Sequence, residues 1–287
     1  MRRQMTDPLQ RYLRVLGIKG YPSGLGGLRT LVRRHLSIVP FENISKLLLS
    51  DRERSGRVTT LLEFLDGIEF SDLGGTCYTN NPFLTDLLRA LGYDAELLGA
   101  DMSQPNVHTC IRVRIESVDY HVDVGFAAPF REPMRLDRLP VQVEEGSNRY
   151  VLARDAGGDG FRLDVFSEEE HGNSYVVHDP PRTREFFDHV VLNSYSLSST
   201  FMRCLRINRV FDAFSLDLID RKLYRHEDGK TAITHLETIL ELQAAVRDQF
   251  GMPRCPVEPA VAILERLTGK PFFSTRHVQS EDRQKER

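Results

Sequence analysis

The chain has 287 residues, 40% of them hydrophobic and 28% charged, with a formal net charge of −3. These values are ordinary for a globular protein and predict two or three subdomains. A net charge this close to zero gives no reason to expect nucleic acid or an anionic membrane as a partner. The four cysteines are widely spaced and form no C-x-x-C pair, which argues against a zinc ribbon or a disulfide-rich secreted scaffold.

The first residues of the sequence lack the apolar core of a signal peptide, and no apolar run approaches membrane-spanning length. We therefore expect a cytoplasmic protein with free thiols. The charged segment 279–287 is expected to be a disordered tail.

The first third of the chain has the apolar spacing of helices. Helical period predicts helices over 7–16, 28–36 and 59–65. The segment 39–44 contains a proline, and the residue before a proline is disfavoured in a helix, so this segment is expected to be extended. The first 92 residues are thus predicted to be mainly helical.

The segment 73–81, LGGTCYTNN, places two glycines just before Cys77. A helical apolar pattern starts directly after this cysteine and reaches Gly92, which is a suitable C-terminal stop. A thiol in the first turn of a helix faces unpaired backbone N–H groups and the positive end of the helix dipole, so the nucleophilic thiolate is favoured. Pro82 is expected in the same first turn, where proline is tolerated.

After Gly92 the apolar period changes from helical to alternating. Strands are predicted over 95–100, 107–115, 120–126, 150–153, 161–166 and 174–178, which together suggest an antiparallel sheet or barrel. Two further strands, 204–210 and 214–218, and an amphipathic helix over 236–250 are predicted in the last third.

Two of the predicted strands carry polar residues that can serve a reactive cysteine. Alternation places His108 on the opposite face from Ile111 and Val113. In the next strand it separates Asp123 from Tyr120, Val122, Val124 and Phe126. Adjacent antiparallel strands can therefore bring His108 and Asp123 together, as a base and the carboxylate that orients it.

Each candidate also has a simpler interpretation. Cys77 alone would most often be a small buried hydrophobic residue, and His108 a strand-end histidine. Asp123 could serve a turn, and His121 is by composition an equally good base. The three residues together carry more weight than any one of them.

Several motifs in this order resemble the arylamine N-acetyltransferase family. They are VPFEN at 39–43, GGTCY at 74–78, HT at 108–109 and VDVGF at 122–126. The resemblance runs from about residue 9 to residue 250. It implies an α+β fold with an N-terminal helical bundle, a central antiparallel β-barrel and a C-terminal α/β lid, in a papain-like cysteine triad arrangement. The implied boundaries are 1–92 for the bundle, 93–195 for the barrel and 196–278 for the lid.

The same resemblance implies roles for individual residues. Cys77 is the implied nucleophile, His108 the base and Asp123 the orienting carboxylate, while His121 is left as a strand residue near the site. Acetyl-CoA is the implied acyl donor, a small amine is the acceptor, and no metal is expected. The implied coenzyme contacts are Gly125, Phe126, Ser198 and Thr200, and the implied acceptor contacts are Val107, Phe126 and Phe41.

The sequence departs from the family pattern beside the nucleophile. Leu73, Thr76 and Thr79 stand where the family has arginine, an aromatic residue and glutamate. Without that arginine Glu42 needs another partner, because an unpaired buried carboxylate is costly. Ala127 replaces a frequent glycine, and the interval from Cys77 to His108 is short.

The predicted function is acyl transfer from an acyl-CoA to an arylamine, an arylhydrazine or a related amine through a cysteine thioester. Three alternatives remain open. One is an amide synthase that closes a macrolactam on a CoA-bound or carrier-bound chain. The others are a cysteine hydrolase and a catalytically silent relative that acts as a binding protein.

Overall fold

The computed structural model describes residues 7–158, 160–167 and 170–273, so the predicted tail lies outside the described residues. In chain order the α-helices are α1 (Asp7–Val15), α2 (Gly24–Ile38), α3 (Ile44–Glu53), α4 (Leu61–Ser71), α5 (Cys77–Ala90), α6 (Asp188–Asn193), α7 (Ile239–Ala244) and α8 (Val257–Thr268). The strands are β1 (Phe41–Glu42), β2 (Asp94–Asp101), β3 (His108–Ile115), β4 (Val118–Val122), β5 (Met134–Arg135), β6 (Val141–Glu145), β7 (Asn148–Arg154), β8 (Phe161–Ser167), β9 (Glu170–His171), β10 (Tyr175–Arg182), β11 (Arg206–Val210), β12 (Phe214–Ile219), β13 (Lys222–Glu227) and β14 (Lys230–His235).

Helices α1, α2, α4 and α5 share one apolar core, to which β2, β3 and β4 add side chains from one face of their sheet. The predicted third helix forms, but it begins two residues later than expected, at Leu61. Thr60 caps it: its hydroxyl accepts from the Glu63 N–H, and the Glu63 carboxylate accepts from the Thr60 N–H. Together these helices form the expected N-terminal bundle.

Helix α5 begins at Cys77, as predicted, with Thr76 as its N-cap residue. The expectation for Pro82 was wrong. Pro82 is the sixth residue of this helix and is buried, so it lies in the second turn. Proline has no N–H to donate to the carbonyl four residues earlier, that of Tyr78. The burial of this helix against the bundle and the sheet outweighs that local preference.

The central sheet is antiparallel throughout, with the strand order β5-β4-β3-β2-β10-β8-β7-β6, and β9 pairs with β8. The two end strands of this order contribute to one apolar cluster through Met134 on β5 and Val141 on β6. Leu98 and Cys110, on the central strands β2 and β3, belong to the same cluster. The sheet therefore curls into a nearly closed barrel, as expected.

The alternation predicted for β3 is confirmed, because Ile111 and Val113 pack against the bundle while Cys110 packs inside the barrel. Val122 and Val124 also lie on the bundle side. The expectation for Phe126 was wrong. Strand β4 ends at Val122, and beyond it the chain leaves the strand alternation, so the Phe126 ring packs inside the barrel instead.

The C-terminal part is an antiparallel sheet in the order β1-β11-β12-β13-β14, covered on one face by α3, α7 and α8. The helix predicted over 236–250 is shorter and irregular: α7 starts at Ile239 after the capping residue Thr238, and a π-helical turn covers Ala245–Gln249. This C-terminal part is the lid. Strand β1 and helix α3 come from the first 92 residues, yet β1 pairs with β11, and Ile44 and Leu47 of α3 pack in the core of the lid.

Arg131 and Asn43 are among the side chains that join the lid to the rest of the molecule. Arg131, in the loop after β4, forms a bidentate ion pair with Glu145 at 2.8 and 2.9 Å. The same guanidinium donates to the carbonyls of Phe211 and Phe214 at 2.6 and 3.1 Å. On the other side, Asn43 donates to the carbonyls of Phe201 and Cys204 and accepts from the Arg206 N–H, at 2.7–2.8 Å.

Candidate active site

Cys77 is the first residue of α5, and its side chain lies where bundle, barrel and lid meet. The residue is 5% exposed. Its carbonyl accepts from the Thr109 hydroxyl at 2.8 Å, which ties the helix start to β3. The first N–H groups of a helix have no intrahelical acceptor, so this helix start offers donors and a positive partial charge beside the sulfur.

The loop that delivers Cys77 is held by Glu42. Its two carboxylate oxygens accept from the backbone N–H groups of Gly74 and Ser45, at 3.1 and 2.8 Å. These backbone donors stand in for the arginine of the family pattern, and Leu73 packs in the apolar core of the lid instead. Burial raises the pKa of the Glu42 carboxyl, and the two backbone donors oppose that rise.

His108 and Asp123 come together as the strand alternation predicted. The His108 Nε2 lies 2.8 Å from the Asp123 Oδ2, and both side chains are buried. Burial disfavours the charged imidazole, but Asp123 and a hydrogen bond with Cys77 outweigh it and raise the pKa of His108 to about 10. Because Asp123 occupies Nε2, Nδ1 is the ring nitrogen that remains for the hydrogen bond with Cys77. The contacts therefore run from Cys77 through His108 to Asp123.

Asp123 accepts hydrogen bonds on both of its oxygens. Oδ1 accepts from the Asn81 side-chain amide and from the Gly125 N–H, each at 2.9 Å. Oδ2 accepts from the Tyr175 hydroxyl at 2.9 Å in addition to the imidazole. Burial alone would raise the pKa of Asp123, but His108 and these donors lower it below the usual range. A carboxylate held by four donors stays ionised.

Asn81 and Tyr175 were missed by the sequence reasoning. A signal existed for Asn81, because it follows Cys77 by four residues and so shares its face of the helix. Asn81 Oδ1 also accepts from the Val124 N–H at 2.9 Å. The same side-chain amide therefore holds the Asp123 carboxylate and the backbone of the next residue. No local signal existed for Tyr175, which is 52 residues from Asp123 in sequence.

Gly125 lies against the helix that carries the nucleophile. A Cβ on Gly125 would come within 2.7 Å of the Cys77 Cα and of the Asn81 Nδ2. No side chain fits there, so the loop after Asp123 can approach the sulfur only through a glycine.

The predicted acceptor contacts lie around this centre. The Phe126 ring packs edge-on against the His108 ring, with centroids 5.4 Å apart. Phe41 bridges to Gly75, two residues before the nucleophile, and its ring meets that of Phe201 at 5.6 Å. The carbonyl of Val107 accepts from the Tyr78 hydroxyl at 2.8 Å. Phe126 thus contacts the triad directly, while Phe41 and Val107 contact residues next to Cys77 in sequence or two residues before it.

Ser198 and Thr200, the other predicted coenzyme contacts, lie on an exposed segment that leads into the lid. The Ser198 hydroxyl is 2.8 Å from that of Ser196. Phe201, the residue after Thr200, contacts Phe41, so this segment connects the exposed rim with the surroundings of the nucleophile.

A cavity of about 770 Å³ adjoins that segment at the end of the lid sheet. Leu197 and Arg203 line it from the segment, and further basic lining comes from Arg221, Lys222 and Lys270. The lining carboxylates Asp220 and Glu265 accept from the backbone N–H groups of Leu205 and Phe272, each at 2.8 Å. The cavity is therefore predominantly basic and of a size that accommodates a nucleotide.

Lys46 was also missed by the sequence reasoning. It is 7% exposed, donates to the Ser194 hydroxyl and lies over the Tyr195 ring, 4.1 Å from its centroid. Among the described residues no carboxylate forms an ion pair with it. Burial lowers the pKa of Lys46 to about 8, while a favourable charge interaction with Cys77 opposes that decrease. A cation thus lies within electrostatic range of the nucleophile.

The other cysteines form no disulfide among the described residues. Burial raises the pKa of Cys204 to about 11, and it raises the pKa of Cys255 further still. Within the described ranges, no group of three or more His, Cys, Asp or Glu side chains is placed to hold a metal ion. No described helix is both long and apolar enough to cross a membrane.

Comparisons with known proteins agree with this geometry. The sequence profile of the N-acetyltransferase family matches residues 24–254. An arylamine N-acetyltransferase of Mycolicibacterium smegmatis is 28% identical over 268 residues, which cover 86% of this chain and 93% of the relative. The solved arylamine N-acetyltransferase of Mycobacterium abscessus shares the fold, with a TM-score of 0.76 at 23% identity over 91% of this chain and 95% of its own. The solved arylamine N-acetyltransferase of Nocardia farcinica has a TM-score of 0.74 at 27% identity, and the match covers 89% of this chain and 93% of the Nocardia chain.

Proposed function

This chain belongs to the arylamine N-acetyltransferase family, and from that premise we propose that it moves a short acyl group from an acyl-CoA to an amine through a thioester on Cys77. The acceptor is an arylamine, an arylhydrazine or a related amine. The observation that carries the proposal is the continuous contact from Cys77 through His108 to Asp123. It gives a nucleophile, a base and an orienting carboxylate.

In the first half-reaction the Cys77 sulfur attacks the thioester carbonyl. The pKa of His108, raised to about 10 by Asp123 and Cys77 against the effect of burial, keeps the imidazole protonated beside the sulfur at neutral pH. The sulfur thus faces a protonated imidazole, and the thiolate is the form that acts as the nucleophile. When the tetrahedral intermediate collapses, its bond to the coenzyme sulfur breaks, and His108 can give its proton to that leaving thiolate.

The negative charge on the carbonyl oxygen needs donors that already point at it. The Cys77 N–H at the start of α5 has no helical acceptor and supplies one. Removing one such donor typically costs roughly 100- to 1,000-fold in rate.

In the second half-reaction the amine attacks the acyl-Cys77 carbonyl. His108, now neutral, accepts the amine proton, and the Cys77 sulfur leaves as a thiolate that regains its charged partner. Asp123 holds the ring in place through both halves. The two substrates therefore react in a ping-pong order.

The donor's phosphates fit the basic cavity at the lid. Arg203, Lys222 and Lys270 have no carboxylate partner among the described residues, so their charges are available for an anion, and arginine suits phosphate oxygens. In this proposal the pantetheine arm passes the Ser198–Thr200 stretch and Gly125–Phe126 on its way to Cys77. Phe126, Phe41 and Val107 would contact the acceptor.

Intact-mass spectrometry tests the proposal directly. Mixing the protein with acetyl-CoA should add one acetyl group, and the Cys77→Ser variant, which keeps the shape of the site, should add none under the same conditions. An unchanged mass in the parent protein would favour the silent relative over the enzyme. Asp123→Asn should reduce turnover by at least about 100-fold while the protein stays folded.

The remaining alternatives give different outcomes in the same preparation. A hydrolase would release CoA at the same rate with and without an amine. An amide synthase would show little turnover with simple arylamines. The four cysteines form no disulfide among the described residues, which fits a reducing compartment and supports the cytoplasm as the place of the reaction.

A further inference from the structure

His121 lies inside the barrel, and the proposed mechanism does not use it. Its side chain is fully buried, and its Nε2 lies 2.9 Å from the Tyr175 hydroxyl oxygen. Its Nδ1 has no hydrogen-bond partner among the described residues. The ring packs edge-on against Phe161, with centroids 5.1 Å apart. A buried histidine with one bonded and one bare nitrogen needs a physical explanation.

The hydrogen bonds assign the protons along this chain of side chains. The Asp123 carboxylate can only accept, so the Tyr175 hydroxyl donates its single proton to Asp123, 2.9 Å away. The Tyr175 oxygen must then accept the proton of His121 Nε2. His121 is therefore neutral, with a bare Nδ1 in an apolar interior.

The charged and titratable groups that face His121 agree with this assignment. They are Asp123 and His108 at the triad and Tyr175 on β10. The Cys110 thiol, in the barrel core, interacts with Tyr175. Burial, aided by the charge of His108 and opposed by Asp123, lowers the pKa of His121 to about 4. The ring thus stays neutral at physiological pH and keeps its Nε2 proton directed at Tyr175.

We propose that His121 is a positioning residue for the triad: it fixes the Tyr175 hydroxyl as a donor to the carboxylate oxygen that also holds His108. Without the Nε2–H, the Tyr175 hydroxyl can rotate and lose its alignment with Asp123. The Tyr175 ring also lies against the His108 ring, with centroids 4.8 Å apart, so any movement of this tyrosine reaches the base as well. The inference rests on the proposed triad function.

The test uses a pair of variants that differ in one donor. His121→Leu removes the N–H that Tyr175 accepts, whereas His121→Gln can replace it with an amide N–H. The readout is the pH dependence of Cys77 alkylation by iodoacetamide. This reaction reports the thiolate without any acyl transfer, so it remains informative even if acetylation by acetyl-CoA fails.

We expect His121→Leu to move the acid limb of the alkylation profile to higher pH and to slow alkylation at pH 6 by roughly 5- to 30-fold, the equivalent of one buried hydrogen bond. His121→Gln should restore most of the rate, and the acceptor KM should not change. A leucine variant with the parent profile would overturn the proposal.

Tyr175→Phe provides a second arm that does not depend on the leucine variant folding. With the hydroxyl gone, His121 has nothing to position, so adding His121→Gln to Tyr175→Phe should leave the alkylation profile unchanged. A further shift of the profile in the double variant would show that His121 acts by another route and would also overturn the proposal.

Discussion

The sulfur of Cys77 differs from the other thiols in its surroundings. Cys77 and Cys110 are both buried, and Cys77 has an imidazole hydrogen-bonded to it and a helix start beneath it. Burial without such partners disfavours a thiolate, as the raised pKa of Cys204 shows. Reactivity at this scale therefore depends on the neighbours of the sulfur.

That contrast gives the first prediction. Cys77→Ala should abolish acetyl transfer, whereas Cys110→Ala, an equally buried thiol, should leave turnover within a few-fold of the parent. Turnover is followed by loss of a free arylamine in the presence of acetyl-CoA. Retained transfer in Cys77→Ala would exclude the thioester route.

The second prediction concerns Lys46. Its ammonium interacts favourably with the Cys77 charge, so Lys46→Met should reduce alkylation of Cys77 at acidic pH, while Lys46→Arg should preserve it. The measurement is the iodoacetamide rate between pH 5 and pH 7, with circular dichroism as the control for folding. If both variants react at the rate of the parent protein, Lys46 packs against Tyr195 without favouring the thiolate of Cys77.

Among the elements, α4 shows how a local sequence signal determines a boundary. Thr60 and Glu63 exchange side-chain and backbone hydrogen bonds at its first turn. We expect Thr60→Ala to reduce the free energy of unfolding by about 1 kcal/mol, the usual value of such a cap. Urea denaturation measures the change, and Thr60→Ser, which retains the hydroxyl, should remain close to the parent.

The elements that sequence reasoning found are those whose pattern is local. The cysteine at the helix start and the shared face of His108 and Asp123 followed from periods of 3.6 and 2 residues. Strand β14 was missed because five of its six side chains are exposed, which hides the alternation. Strand β13 was missed because its two buried residues, Leu223 and His226, do not alternate. Pro82 was misplaced because the packing of α5 overrides a local preference, and Tyr175 could not be found because only the fold brings it to Asp123.

At the scale of the whole molecule, buried neutral histidines predict loss of stability in acid. Burial lowers the pKa of His35 to about 3, and its Nε2 lies 3.1 Å from the Tyr12 hydroxyl. The imidazole of His35 binds a proton near pH 6.5 in the unfolded chain but not in the folded chain. Its contribution to the free energy of unfolding is therefore complete above pH 6.5 and decreases as the pH falls toward 3. The slope is about 1.4 kcal/mol per pH unit for one proton.

Urea denaturation at pH 7, 6, 5 and 4 measures that slope. His35→Phe removes the titrating group and keeps an aromatic ring, so its stability should fall less steeply with acid than that of the parent protein. Parallel curves for the two proteins would show that His35 is not the group that takes up the proton.

Arg131 donates hydrogen bonds to two carbonyls at one end of the lid, and Asn43 does the same at the other end. These hydrogen bonds have a consequence for entry to the site. Both ends of the lid are fastened by hydrogen bonds that a hinge motion would have to break together. We therefore expect the lid to stay closed against the barrel and the entrance to the site to keep one width. The range of acceptors should accordingly end abruptly at a certain ring size, as a sieve does, instead of declining gradually with bulk.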